Sequence, residues 1–440
     1  MAVRWMAFAL SGALALLACT GADNDEGRNR SSGASTGGVG TGAGSTSSSS
    51  GATSSGSPTT ATSSSGAASS SSAAATSTSS ALSSSSSGGT CTGGIFPTVT
   101  FPLAYLEPAE LLRTTTGVLM LPVHQGQGDE SFVMTRSTSG TWSLDAIDYP
   151  PNREDQGFGV FLDGVLDAQD RLHISGTSLT GSGRELWHAV RTNNTWTHHL
   201  LDADSEALST RMAHVAGATY VVYSGAGVRA VRITDDGTVG GVQTFPDSTA
   251  HTLKAVAVNA QGHVVALTDD GDAPQKTSHL FRRQSDGSWT KQTLSQPSAS
   301  ARHVMLDDDG VAHVVFQTAS AARFDNLAVM RVSTSGQVLD VSTVENSSEI
   351  LVGSITTARA AGGAWRMAYE RNHYRMSPER KDLVVATQNS SGGWDLLTVL
   401  ENHQDEVLLG GPMLLEGNVL HRVVGDPQEN SAMLHRVICF

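Results

Sequence analysis

Residues 253–294 read LKAVAVNAQGHVVALTDDGDAPQKTSHLFRRQSDGSWTKQTL. The first segment, LKAVAVN, alternates small and apolar residues, and a glycine turn at Gly262 leads into the β-branched run HVVALT. After a polar loop, two further strand-like segments, HLFRRQ and WTKQTL, flank a turn at Asp286-Gly287. The stretch therefore predicts four short strands, joined in order by a turn, a loop and a turn.

The same arrangement recurs along most of the chain from Val118, and tryptophans mark its period. Trp142 and Trp196 are 54 residues apart, and the steps from Trp196 to Trp289 and from Trp289 to Trp394 are 93 and 105 residues, two units each. A repeat of about 50 residues with four strands is typical of β-propeller blades. We therefore expect an all-β, seven-bladed β-propeller, with a six-bladed ring and a β-sandwich as alternatives.

The two ends of the repeating region predict how the ring closes. Six units have a fourth strand, whereas the seventh, which begins at Pro412, stops one strand short. A spare strand-like segment, FPTVTFPL at residues 96–103, precedes the first unit and could complete the seventh. Cys91 and Cys439 flank the two strands that would then be neighbours, so we expect a disulfide bond between them.

Residues 1–18 differ from the repeats and indicate export. Arg4 precedes the apolar run MAFALSGALALLA, which is too short for a stop-transfer helix and ends at Cys19. The segment Leu16-Leu17-Ala18-Cys19 resembles a bacterial lipoprotein signal; an ordinary secretory signal is the alternative. The resemblance implies cleavage before Cys19, acylation of that cysteine with palmitate or a similar lipid, and anchoring in the cell envelope. Thr20 resembles the sorting pattern for the outer membrane or cell surface.

Residues 19–90 consist mainly of Ser, Gly, Thr and Ala, with Leu82 as the single leucine. Such a segment has too little apolar surface to offset the entropy of ordering, so we expect a disordered tether. The predicted domains are a signal peptide at 1–18, a disordered linker at 19–90 and the propeller at 91–440.

Charge and histidine pattern exclude several kinds of partner. The chain has 28 basic and 42 acidic side chains and lacks a basic stripe interleaved with aromatic residues, so we expect no nucleic-acid partner. His173, His263 and His313 recur at the start of the second strand, which favours hydrogen bonding between strands over metal ligation. The acidic turns at 269–272 and 307–310 lack the spacing of an EF-hand loop. We expect no metal, no cofactor and a monomer.

The hairpin Ser285-Asp286-Gly287-Ser288-Trp289 resembles the Asp-box turns of sialidase-type (BNR) propellers. The resemblance spans most of residues 103–438 and implies a propeller in which this turn is structural. Sialidase catalysis needs three arginines, a Tyr–Glu pair and an acidic Asp from different blades. Here Arg, Tyr and Glu are dense only at 370–381, and the aspartate is missing from the equivalent turns SGTW and NNTW.

The repeat also sorts the connections by face. Turns between the first and second strands, and the tryptophan hairpins, are short and share one side. Connections between the second and third strands, and between blades, are longer and share the other side, which we name the long-loop face: 125–130, 150–157, 269–278, 370–382 and 402–406. Binding sites are commonly built from such loops on a rigid scaffold.

A cationic group on the long-loop face is the candidate binding site. It comprises Arg302 and His303 of the fifth unit with Arg371, His373, Tyr374 and Arg375 of the sixth; ordinary solvated loop residues are the alternative. Arginine forks suit carboxylate or sulfate oxygens, and a tyrosine can stack on a sugar ring. Further candidates near the axis are Arg211, His214, His251, Lys254 and His403.

Three functions are compatible with this pattern. The first is a surface-tethered, non-catalytic propeller that binds a glycan or an envelope protein. The second is a sialidase-like glycoside hydrolase, which carboxylates converging from several blades would favour. The third is an envelope scaffold, which a broad apolar patch would favour.

Overall fold

The computed structural model describes residues 93–440 except 101–105, 126–129, 154–157, 181–182, 216, 272–275, 295–298, 321–322, 347–350, 361, 374–379, 402–410 and 426–431. The described strands form seven antiparallel sheets. Each sheet is one blade, so the predicted seven-bladed β-propeller is confirmed.

The blades follow one another along the chain. Blade one comprises β2 (Leu106–Pro108), β3 (Leu112–Arg113), β4 (Leu119–Gln125), β5 (Glu130–Arg136) and β6 (Trp142–Ala146). Blade two comprises β7 (Val160–Leu166), β8 (Leu172–Thr180), β9 (Gly183–Thr192) and β10 (Thr195–Asp202). Blade three comprises β11 (Ser209–Val215), β12 (Ala218–Ser224), β13 (Val228–Thr234) and β14 (Gln243–Thr244). Blade four comprises β15 (Thr252–Val258), β16 (Val264–Asp270), β17 (Thr277–Arg283) and β18 (Trp289–Thr293).

The last three blades repeat the pattern with longer strands. Blade five comprises β19 (Ala299–Leu306), β20 (Ala312–Ser320), β21 (Arg323–Val332) and β22 (Val338–Asn346). Blade six comprises β23 (Leu351–Arg359), β24 (Trp365–His373), β25 (Arg380–Gln388) and β26 (Trp394–Leu400). Blade seven comprises β27 (Met413–Glu416), β28 (Val419–Gly425) and β29 (Ala432–Cys439), completed by β1 (Gly94–Thr100).

Blade seven closes the ring with strands from both ends of the repeating region. β1 pairs antiparallel with β29, from Gly94 opposite Val437 to Thr100 opposite Ala432. The predicted closure is therefore confirmed, with the strand starting at Gly94, two residues earlier than the predicted segment; residues 101–103 lie outside the described residues. Because β1 fills the outer position of blade seven, this blade needs no strand from a second chain.

Apolar side chains between blades hold the ring together. The described residues form seven buried apolar clusters, one at each junction between neighbouring blades. At the closing junction, Leu121 and Met134 of blade one pack with Val423 and Met433 of blade seven. This junction is built in the same way as the other six, so burial of apolar surface stabilises the whole circle.

Two of the four repeated tryptophans link their blade to the one before it by a hydrogen bond. Trp289 Nε1 of blade four donates to Gln243 Oε1 of blade three at 3.1 Å, and Trp394 Nε1 of blade six donates to Ser342 Oγ of blade five at 3.0 Å. The indole buries its ring and satisfies its one donor on the preceding blade. This double use gives a physical reason for the tryptophan period in the sequence.

Candidate functional site

The inner strands of the blades surround the propeller axis, and four of their residues meet there. We name Glu110, Asp163, Arg211 and His303 the axial cluster. Glu110 lies in the break between β2 and β3 of blade one, Asp163 in β7 of blade two, Arg211 in β11 of blade three and His303 in β19 of blade five. The positive charge of Arg211 acts on each of the other three: it opposes the burial that raises the pKa of Glu110 and Asp163, and it adds to the burial that lowers the pKa of His303. Blades one, two, three and five are all adjacent only at the propeller axis. A guanidinium that acts on residues from all of them therefore lies close to the axis.

The carboxyl groups of the axial cluster hold protons unusually tightly. Burial and, to a lesser extent, the neighbouring Glu110 together raise the pKa of Asp163 to about 7, against the opposing effects of Arg211 and the N–H of Met212. The Met212 N–H donates to Asp163 Oδ2 at 2.6 Å, which ties blade three to blade two. Glu110 keeps contact with solvent although protein surrounds it, and desolvation also raises its pKa. Two carboxyl groups from neighbouring blades therefore converge near one arginine.

Arg211 is held by backbone oxygens. Its Nη1 donates to the carbonyl of Thr210 at 2.7 Å and its Nε to the carbonyl of Lys254 in blade four at 3.3 Å. These are its hydrogen bonds within the described part of the chain. Because carbonyl oxygens are neutral, they fix the guanidinium without cancelling its charge.

β-Bulges recur in the inner strands at the level of the axial cluster. The pairing register shifts between Val160 and Asp163 in blade two, and between Leu253 and Ala255 in blade four. Equivalent shifts flank Arg302 in blade five and residues 353–354 in blade six. Bulges re-aim side chains and are common next to binding sites, so four blades depart from regular pairing where their strands reach the axis.

The two predicted site residues of blade five lie at the junction with blade six. Arg302 Nη2 donates to Gln317 Oε1 at 3.2 Å, and His303 Nε2 is 3.1 Å from Thr357 Oγ1 of blade six. Burial, assisted by Arg211, lowers the pKa of His303 to about 4. At neutral pH the imidazole is therefore uncharged, and the cationic character of this part of the predicted site comes from Arg302.

The predicted residues of blade six are matched by acidic groups. Arg371 Nε lies 2.8 Å from Glu345 Oε1 and its Nη1 lies 3.7 Å from Asp382 Oδ2. His373 Nε2 lies 3.0 Å from the same Asp382 carboxylate, which also receives Arg380 at 2.9 Å. Tyr374 and Arg375 lie outside the described residues, as does His403. The local excess of basic residues in the sequence is thus offset by acids that are distant in sequence or follow in β25.

Arg371 also takes part in an arrangement that recurs elsewhere in the ring. Tyr369 donates its hydroxyl to Glu345 at 2.5 Å, so blade six grips a carboxylate of blade five with a tyrosine and an arginine. In blade three, a tyrosine and an arginine grip a carboxylate of blade two in the same way, through Tyr223, Arg229 and Asp202. Recurrence at two junctions indicates that Arg371 joins neighbouring blades.

The histidines predicted to bond between strands and the histidine predicted on the long-loop face lie in different surroundings. His173 and His263 contact polar side chains of the adjoining turn: His173 Nε2 is 3.1 Å from Asp167 Oδ2, and His263 Nδ1 is 2.9 Å from Asn259 Nδ2. His214, expected with the long-loop candidates, instead packs 5.8 Å from His173 at the short-turn end of β11. Position along the strand decides the face, and β11 runs past the axis before it reaches His214.

A second group lies in blade four, and the sequence pointed to its parts only separately, to His251 as a candidate binding residue and to Asp270 within the acidic turn at 269–272. His251 precedes β15, Asp270 ends β16 and His279 lies in β17. Their ligand atoms all lie within 4.8 Å of one another. Imidazole and carboxylate groups in this arrangement are able to hold a divalent cation. The sequence separates the residues by a turn and a loop, so only the pairing of β15, β16 and β17 reveals the group.

The ring of seven blades defines the chain as a seven-bladed β-propeller protein. No family model and no curated protein matches the sequence. Within the described residues there is no helix with the length and hydropathy needed to cross a bilayer.

Solved structures resemble the chain at low sequence identity. Virginiamycin B lyase from Staphylococcus aureus is 10% identical with a TM-score of 0.51, covering 79% of this chain and 100% of the lyase. A catalytically inactive variant of that lyase with quinupristin is 11% identical with the same TM-score and coverage. A sialidase from Trypanosoma rangeli is 13% identical with a TM-score of 0.42, covering 76% of this chain and 60% of the sialidase. At these identities the likeness is one of fold.

Proposed function

We propose that this protein is a non-catalytic binding propeller of the cell envelope that takes up an anionic group of a glycan or protein at the axial channel. The observation that carries the proposal is Arg211, whose charge lies on the axis and whose hydrogen bonds go to carbonyl oxygens. Arg302 adds a second guanidinium on an inner strand. An arginine with a fixed orientation in a partly enclosed channel suits a carboxylate or sulfate group.

The outer part of the proposed site is the loop of blade six with Arg371, His373, Tyr374 and Arg375. Since Glu345 and Asp382 offset the charge of Arg371 and His373, we assign the principal electrostatic contribution to Arg211 and Arg302. The proposed cellular location follows from the predicted leader and tether. The acyl group on Cys19 anchors a monomeric propeller, and residues 19–90 hold it away from the membrane.

Glycan-array binding tests this function. Arg211→Gln and Arg302→Gln should each weaken binding to sulfated or carboxylated glycans by at least about tenfold, because a charged hydrogen bond contributes roughly 1.5–3 kcal/mol. Arg331→Gln is the matched control, since Arg331 pairs with Asp340 on the exposed outer side of blade five. Arg371→Ala with Arg375→Ala tests the outer part. Equal binding by wild type, Arg211→Gln and Arg302→Gln would rule out the axial site.

A hydrolase is the second candidate, and the convergence of Glu110 and Asp163 favours it. A carboxyl group with a pKa of about 7 is protonated in part at neutral pH and is suited to general-acid catalysis. The test is turnover of aryl glycosides. Wild-type activity that is lost in Asp163→Asn and retained in Asp340→Asn would support it, whereas an inactive wild type would leave binding as the function.

A further inference from the structure

We propose that blade four binds a first-row divalent metal ion, with zinc as the representative ion, through His251, Asp270 and His279. The three residues lie where β15 begins, β16 ends and β17 begins, on the long-loop face. Two imidazoles and one carboxylate form a ligand set that suits zinc and its neighbours in the first transition row.

The distances between the ligand atoms match a single coordination sphere. His279 Nε2 lies 3.0 Å and His251 Nε2 lies 3.6 Å from Asp270 Oδ2. Zinc binds nitrogen and oxygen ligands at about 2.0–2.2 Å, so neighbouring ligands of a tetrahedral ion are roughly 3.3–3.5 Å apart. The two separations from Asp270 bracket this value, and the three ligand atoms all lie within 4.8 Å of one another, so side-chain rotations that bring the two imidazoles closer together are needed to admit the ion.

Two threonines orient the imidazoles. His251 Nδ1 lies 3.0 Å from Thr268 Oγ1, and His279 Nδ1 lies 3.2 Å from Thr293 Oγ1. In the tautomer in which each Nδ1–H donates to its threonine hydroxyl, each Nε2 presents a lone pair on the side of Asp270. Hydrogen bonds to the outer ring nitrogen are the usual means by which proteins fix metal-binding histidines.

Other histidine pairs in the ring differ in one respect. His173 Nδ1 lies 3.0 Å from His188 Nε2, and His421 Nδ1 lies 3.1 Å from His435 Nε2. In these pairs a nitrogen of one ring is the hydrogen-bond partner of a nitrogen of the other. In blade four the rings stack with centroids 4.6 Å apart and both Nε2 atoms face a carboxylate. The blade-four pair thus presents ligand atoms to a common point.

Lys291 occupies the edge of this group and regulates its affinity. Its Nζ lies 3.3 Å from His251 Nε2 and donates to the carbonyl of Asp247 at 2.7 Å. A metal ion must displace the Lys291 ammonium from the His251 imidazole. The ammonium repels the ion and competes for the lone pair of the imidazole. Removing this charge should therefore strengthen metal binding. Three protein ligands leave further coordination positions for water or an anionic oxygen of a ligand.

Zinc titration of the tag-free full-length chain, stripped with EDTA and dialysed, tests the proposal. Wild type should bind one zinc ion by calorimetry, and cobalt should give the visible absorption of a low-symmetry nitrogen–oxygen site. His279→Gln and Asp270→Asn should each weaken zinc binding at least about tenfold. Lys291→Gln should strengthen it several-fold.

The matched control is His435→Gln, which removes another buried, stacked histidine outside the proposed site. It should leave zinc affinity unchanged. Asp270 is partly exposed, so Asp270→Asn keeps the test decisive if a histidine variant fails to fold. The proposal is overturned if wild type binds no zinc, or if Asp270→Asn binds it as tightly as wild type does.

Discussion

Replacing Glu370 with alanine would remove the carboxylate that pairs with the Arg422 guanidinium at the junction of blades six and seven. The side chains of Arg422 and Glu370 are 1% and 0% exposed, and Arg422 Nη2 donates to Glu370 Oε1. Breaking a buried ion pair by removing one partner costs about 3–5 kcal/mol, because an uncompensated charge stays behind. We therefore expect Glu370→Ala to destabilise the ring by that amount.

The corresponding change in melting temperature is measurable. With an unfolding entropy of about 2.1 cal/mol/K per residue over roughly 350 residues, the loss corresponds to about 4–7 °C. Differential scanning calorimetry of wild type, Glu370→Ala and the double variant Glu370→Leu/Arg422→Met measures it. The double variant should recover much of the loss, since apolar replacements leave no buried charge.

The exposed pair of Arg331 and Asp340 supplies the control. Their side chains are 37% and 46% exposed, and exposed ion pairs contribute about 0–1 kcal/mol. Arg331→Ala should shift the melting temperature by less than about 2 °C. If Glu370→Ala shifts it no more than Arg331→Ala does, the buried pair does not stabilise the junction and the reasoning is refuted.

Three further predictions concern the ends of the chain and the axis. Cys91→Ser should lower the melting temperature and free Cys439 for thiol labelling; two labelled cysteines in the oxidised wild type would contradict the predicted disulfide. Cys19→Ser should move the protein from the membrane to the soluble fraction, and continued membrane recovery would contradict the anchor. Asp163 has a folded pKa of about 7, above its usual 3.8, so it contributes stability that is fully present below about pH 4 and is lost as the pH rises through 7. Urea unfolding should therefore show Asp163→Asn gaining stability relative to wild type between pH 5 and pH 8, and a constant difference would exclude the raised pKa.

The disulfide prediction acquires a geometric argument from β1. Cys91 lies outside the described residues, but Gly93 lies next to the end of β29. A Cβ atom at position 93 would be 3.7 Å from Cys439 Sγ. Position 93, two residues after Cys91 in the sequence, is therefore in contact with the sulfur of the proposed partner.

The repeat and its closure could be predicted because their signals are local. A tryptophan shortly after a tight turn marks the last hairpin of four units; Gly287, with φ of 88°, and the Asp286 carboxylate that accepts the Ser288 N–H form such a turn. A missing strand at one end and a spare strand at the other are likewise visible by counting. The exact start of β1 at Gly94 depends on its pairing with Val437, which no local pattern encodes.

The site residues were harder to predict because their partners come from other blades. The sequence around Arg371 is basic, and Glu345, which offsets its charge, lies in the preceding blade. Arg211 was a candidate, but its proximity to Glu110 and Asp163 could not be predicted. The three residues belong to inner strands that are about one blade apart in sequence. Burial also removed the charge expected of His303, and burial follows from the ring as a whole.

The pairing of β1 with β29 determines where a mechanical load enters the ring. A pull on the chain that precedes Gly94 acts first on the pair of Gly94 and Val437, and then passes along β1 towards Thr100. Such a load opens strand pairs one after another, so the closure strand is where a tethered propeller under flow would begin to unravel. The proposed bond between Cys91 and Cys439 precedes Gly94 on this path. It would transfer the force to the end of β29, so that the load would bypass β1.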